Sequence, residues 1–121
     1  MSDALLGKTG EEAAASYLRH TLGCEILSQN YRNRLGEIDI IAKEDDTLVF
    51  VEVKTRQSQQ WGRPAEAVEN RKQRKVSLVA LSYMTQHHCW QMPCRFDVIE
   101  VIPSPRGFHI HHIRHAFLNK A

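Results

Sequence analysis

The sequence predicts an α/β domain: helices layered on a central mixed β-sheet of about five strands. Three observations carry this reading. An alanine-rich helical stretch is followed by three strand-like runs joined by short polar turns. A long helical region comes next, and two more strand-like runs around a proline- and glycine-containing turn close the chain. A length of 121 residues fits one domain over residues 1–121, large enough for a single modest core.

From the N-terminus, Gly10 to Leu22 carries Ala14, Tyr17, Leu18 and Leu22 at helical spacing. Thr9 is placed to cap this helix with Glu12 at the third position, as in a capping box, and Gly23 is placed to end it. Cys24 to Arg32 predicts a first strand and Arg34-Leu35-Gly36 a turn. Glu37 to Ala42 is the second strand, Lys43 to Asp46 a polar turn, and Thr47 to Thr55 a third strand rich in β-branched residues. A loop with Ser58, Trp61, Gly62 and Pro64 follows, and Ala65 to about His88 is helical, with a break expected near Asn70. Phe96 to Val101 and Phe108 to Ile113 are the last strands, joined by a turn with Pro103, Pro105 and Gly107. A short helical tail from His115 to Leu118 is expected at the end.

Composition narrows the function classes. The chain is 42% hydrophobic and 25% charged, as in globular domains. It has no apolar run long enough to cross a membrane and no signal-peptide pattern, so a cytoplasmic location with no membrane partner is expected. Cys24, Cys89 and Cys94 form no CxxC pair, which predicts free thiols. Net charge is only +2, but Lys54 to Lys75 holds seven basic residues against two acidic ones, net +5, which suits an anionic partner at one face. A solvated helix face would have the same composition.

The second and third strands carry acids where apolar residues are expected. Leu48, Phe50, Glu52 and Lys54 share one face of the third strand, and Val49, Val51 and Val53 the other, so this strand is predicted to be central and covered on both sides. By the same alternation Glu37, Asp39 and Ile41 share a face, opposite Ile38, Ile40 and Ala42. A hairpin around the polar turn puts Asp39 roughly across from Glu52. Two facing carboxylates repel unless a cation lies between them. Mg²⁺ takes carboxylate oxygens, backbone carbonyls and waters, so Asp39, Glu52 and a carbonyl near Val53 form a reasonable half-shell. With Lys54 to orient a water or hold a phosphate oxygen, these are the parts for metal-assisted phosphodiester hydrolysis. The same spacing also suits a plain ion pair of Lys54 with Glu52 or Asp39 that holds the hairpin.

Other residues have two readings each. Glu37 is a further ligand or, better, the partner of Arg34. Val68, Lys72, Val76, Val79 and Tyr83 lie on one helical stripe, so Lys72 points inward to hold a phosphate or snorkels to the surface. Arg71, Arg74 and Lys75 lie to the side, placed for nucleic-acid backbone contacts. Arg32, Arg34 and Arg56 flank the acidic hairpin as rim residues. Trp61 stacks on a base or packs over the sheet edge. His109, His111, His112 and His115 invite a zinc reading, but strand alternation splits them between faces, and exposed polarity is the simpler expectation.

The pattern D-x(12)-E-V-K on a hairpin, after a helix with an early Glu, resembles the PD-(D/E)xK nuclease superfamily, nearest its Holliday junction resolvase-like branch. More specifically, the chain resembles the YraN-like family of small bacterial proteins. The residues that carry this are Gly7, Gly10-Glu11, Asn30, Arg32, Gly36-Glu37-Ile38-Asp39, VFVEVKTR from Val49 to Arg56, Pro64, Glu66-Ala67-Val68, Lys72-Gln73-Arg74, Arg95-Phe96-Asp97-Val98 and Ala116-Phe117. The resemblance implies a restriction-endonuclease-like fold. It also implies Glu11, Asp39, Glu52 and Lys54 as the catalytic set, the three acids holding Mg²⁺ or Mn²⁺. The implied substrate is branched or single-stranded DNA. A homodimer would allow symmetric cutting of a junction. A nucleic-acid-binding module without catalysis, or a protein-interaction adaptor, is the alternative.

Overall fold

The described residues of the computed structural model are 3–56 and 69–121. Helix α1 spans Asp3–Ser16 and runs into one π-helical turn, Tyr17–Thr21. Strands β1 (Glu25–Asn33), β2 (Gly36–Glu44) and β3 (Thr47–Thr55) follow, then α2 (Asn70–Gln86), β4 (Cys94–Ser104) and β5 (Gly107–Phe117). The five strands form one sheet in the order β1-β2-β3-β4-β5, with β3 and β4 parallel and the other pairs antiparallel. This is the mixed five-strand architecture predicted, and β3 is central.

The two helices cover opposite faces because β3 is apolar on both. Leu48 and Phe50 pack with Phe96 and Val98 under Val76, Val79 and Tyr83 of α2. Val49 and Val51 pack with Ile99 and Val101 under Ala14, Ala15 and Leu18 of α1. Both layers exclude water from the sheet's middle, and at about 25 cal/mol per Å² this burial is the main favourable contribution to folding.

Several local expectations change. Helix α1 begins at Asp3, so Thr9 lies inside it rather than capping it. Gly10 in that helix is a packing residue: a Cβ there would meet Thr55 Oγ1 at 2.2 Å. Gly23 does end the first helical segment, with φ of +72°. The loop with Ser58, Trp61, Gly62 and Pro64, and the stretch Ala65 to Val68, lie outside the described residues. The helix after them starts at Asn70, where the break was expected. The tail is not helical: His115 to Phe117 continue β5, because Phe117 pairs with Phe96 and stacks on it at 5.1 Å. Beyond it, the Lys120 N–H donates to Ser77 Oγ on α2 (2.9 Å). Among the described residues no helix is long and apolar enough to cross a membrane.

Candidate functional site

The site forms where β2 and β3 part. Their ladder runs from Glu44–Thr47 to Ile40–Val51 and stops there, although both strands continue. One step further, Asp39 takes over: the Val53 N–H donates to Asp39 Oδ2 at 2.8 Å, a side chain standing in for a ladder carbonyl. The alternation of β2 breaks at the same residue. Ile38 packs on the α2 side with Ile41, and Ile40 on the α1 side with Ala42, so Ile38 and Ile40 do not share a face as alternation predicts. In the neighbouring strand Asn30 adopts φ of +57°, a left-handed conformation that asparagine tolerates better than most residues. The kink in β1 and the break in β2 coincide.

Three carboxyls meet at this fork. Glu52 points to the α2 face and is 3% exposed. Burial, then the charge of Asp39, pushes its pKa up to about 8; the nearby charges of Lys72 and Lys54 pull the other way. Asp39 is raised as well, by burial and by Glu37, against the pull of the Val53 N–H, Lys72 and Lys54. Glu11 arrives from α1 and is raised by burial and by Asp39, with which it shares a hydrogen bond, while the Asn30 side chain steadies it. Gly10 explains how Glu11 gets there: without a Cβ, α1 lies directly on Thr55 at the end of β3.

Among the described residues, the cation in ion-pair reach of Glu52 is Lys72, with Nζ 3.7 Å from Oε2, rather than Lys54 as the spacing suggested. Lys72 is 43% exposed at its side chain, so it reaches the cluster from the surface edge of α2. Glu52 Oε1 is buried with no hydrogen-bond partner. An unpartnered buried carboxylate oxygen in an all-oxygen donor set suits a hard divalent cation, so the residues fit Mg²⁺ or Mn²⁺. Among the described residues, no three His, Cys, Asp or Glu stand in a ready-made ligand arrangement; burial, then the Asp39 charge, raises both Glu11 and Glu52.

A family model described as "Uncharacterised protein family UPF0102" matches residues 10–101. The chain belongs to this UPF0102 family. A UPF0102 protein of Syntrophus aciditrophicus is 48% identical over 111 residues, 92% of this chain and 87% of the relative. One from Caldicellulosiruptor saccharolyticus is 44% identical over 119 residues, 97% of this chain and all of the relative. A solved structure described as "Crystal structure of SSO0001" aligns at a TM-score of 0.41 with 16% identity, over 95% of this chain and 52% of that one, a likeness too loose to carry an argument.

The remaining candidates of this UPF0102 chain fall into two groups. Arg71, Arg74 and Lys75 are exposed on α2, and Arg34 is exposed in the β1–β2 turn. Arg32 and Arg56 each have an acidic partner. Arg32 donates to Glu37 at 3.0 Å, so the partner of Glu37 is Arg32 and not Arg34. Arg56 pairs with Glu100, which is fully buried and also meets His111 Nδ1 at 3.1 Å. Glu100 lies across from Lys54 in the β3–β4 register and had no local signal in the sequence beyond an acid amid apolar neighbours.

The histidine tail is not simply exposed polarity. His112 is 6% exposed at its side chain and sits on the α1 face. With its proton on Nε2 it donates to Asp97 at 2.7 Å, leaving Nδ1 to accept from the Tyr17 hydroxyl at 3.0 Å. Asp97, fully buried, also accepts from Arg95 and from the His115 N–H. This network includes Glu44, which Arg95 and Arg114 each approach at 2.9 Å. It ties the opposite end of the sheet together.

Proposed function

We propose that this chain is a divalent-metal-dependent endonuclease that hydrolyses phosphodiester bonds in branched or single-stranded DNA. Asp39 and Glu52, joined by Glu11, hold Mg²⁺ or Mn²⁺. The observation that carries this reading is the buried Glu52 Oε1 with no hydrogen-bond partner, beside the carboxyls of Asp39 and Glu11. Such a cation, when bound, polarises a phosphoryl oxygen and makes a bound water more acidic.

The chain's own residues do the rest. The Val53 N–H fixes the Asp39 carboxyl and Asn30 steadies Glu11. Lys54, half-buried where β3 emerges, positions the attacking water or holds a non-bridging oxygen. Lys72 takes a phosphate oxygen beside Glu52. Arg71, Arg74 and Lys75 hold the DNA backbone without reading sequence. Two such domains in a homodimer would cut both strands of a junction symmetrically.

The test is cleavage of labelled junction, flap, single-stranded and duplex DNA with Mg²⁺ or Mn²⁺. Wild type cuts a branched or single-stranded form; Asp39→Ala and Glu52→Ala do not. Equal cutting by D39A refutes the site. A second reading, DNA binding without cleavage, rests on the exposed Arg71, Arg74 and Lys75 of α2. It predicts salt-dependent binding with no cutting of any form.

A further inference from the structure

An open pocket of about 470 Å³ lies between the β1–β2 turn and the first turns of α2. Arg32, Gly36, Glu37, Lys72, Lys75 and Val76 line it. Lys72 is the side chain that reaches Glu52, so whatever the pocket holds through Lys72 lies against the carboxyl cluster. Val76 is buried in the core beneath α2 and gives the pocket an apolar floor. Asn33 forms a fixed wall: its amide donates to Ser82 Oγ at 3.2 Å and its carbonyl accepts the Leu35 N–H at 2.8 Å. Gly36 brings the turn close to α2, where a Cβ would meet Val79 at 3.4 Å. The rim is electropositive. Arg32 is offset by Glu37, but Lys75 is exposed and Lys72 is only loosely engaged.

We propose that this pocket seats one unpaired nucleotide of the strand being cut, its phosphate on Lys72 and Lys75 and its base over Val76. The inference rests on the nuclease reading and names its substrate class: a strand flayed from duplex, not continuous duplex. The volume falls in the range of about 300–1,000 Å³ typical of small-ligand sites. A duplex keeps its bases stacked inside and presents only its backbone here. Turning a base out of a duplex costs a few kcal/mol, a cost an already unpaired nucleotide does not carry.

The test is an amide NMR titration of the full chain with thymidine 5′-monophosphate, with inorganic phosphate as the control. The nucleotide should shift the amides of Gly36, Lys72, Lys75 and Val76 and saturate at lower concentration than phosphate. Lys75→Glu, an exposed change that leaves the core intact, should weaken it by about tenfold, the effect of losing a charge-assisted contact. Equal binding of phosphate and nucleotide, shifts elsewhere, or none, overturns the proposal. Pocket binding by a chain that cuts nothing would refute hydrolysis and leave the pocket standing. Cutting without pocket binding would do the reverse.

Discussion

The backbone N–H of Val53 donates to the Asp39 carboxyl at 2.8 Å where the β2–β3 ladder ends. One side chain thus closes the fork in the sheet and holds the site together. Asp39→Asn retains an acceptor for this N–H, and Asp39→Ala does not. D39A should lose about 1 kcal/mol more stability than D39N, the cost of a half-buried donor left without its acceptor. Both should lose metal-dependent cleavage. Urea midpoints of the two variants check the first statement; equal midpoints would remove Asp39's structural role.

The pH dependence of stability follows from Glu52. Its pKa in the folded chain is about 8 against 4.5 ordinarily. The folded state therefore holds more protons than the unfolded state between these values, and stability falls as pH rises across them. Asp39 and Glu11 shift in the same direction. Thermal melts without divalent ions should show a falling midpoint from pH 5 to pH 8, flattened in Glu52→Gln. A midpoint that rises over this range contradicts the buried-acid account.

Gly10 sets the depth at which α1 meets β3. Gly10→Ala puts a Cβ against Thr55 Oγ1, and overpacking of this kind costs about 1–3 kcal/mol. It also moves Glu11 from Asp39. A double-mutant cycle with Thr55→Gly, which removes the obstructing side chain, should recover most of the loss. No coupling between the two positions would refute the contact.

His112 carries weight at the far end of the sheet. Burial alone would raise the Asp97 pKa, yet His112, the His115 N–H and Arg95 hold it below the ordinary 3.8. The stability this brings is present above that value and lost as pH falls through the lower one. His112→Ala should cost about 1–3 kcal/mol, as when a buried carboxylate loses one hydrogen bond while Arg95 and the His115 N–H still face it. DNA cleavage at a temperature where the variant stays folded should be unchanged. Guanidinium unfolding beside a cleavage assay reads both.

Much of the fold was legible because β3 alternates cleanly: Thr47–Thr55 has the predicted bounds, central place and two apolar faces. Asp39 and Glu52 were placed near each other by hairpin counting alone. What was hidden is non-local. The left-handed Asn30 and the Asp39–Val53 bond break the alternation of β2, so Ile38 and Ile40 part company. Gly10 looked like part of a helix start because its partner, Thr55, is 45 positions away. The tail looked helical because its register with Phe96 leaves no trace in four residues. Lys72 outcompetes Lys54 for Glu52 because α2 brings it across the face, something strand spacing does not encode.

The most direct measurement is calorimetric titration of Mn²⁺ into the chain at pH 7 in two buffers of different ionisation heat. Glu52, whose pKa burial pushes up to about 8, must give up its proton to a bound cation, so binding releases protons. The account predicts binding to wild type with proton release, and loss of both in Glu52→Gln. No binding, or binding that E52Q leaves unchanged, would contradict a divalent site at Asp39 and Glu52.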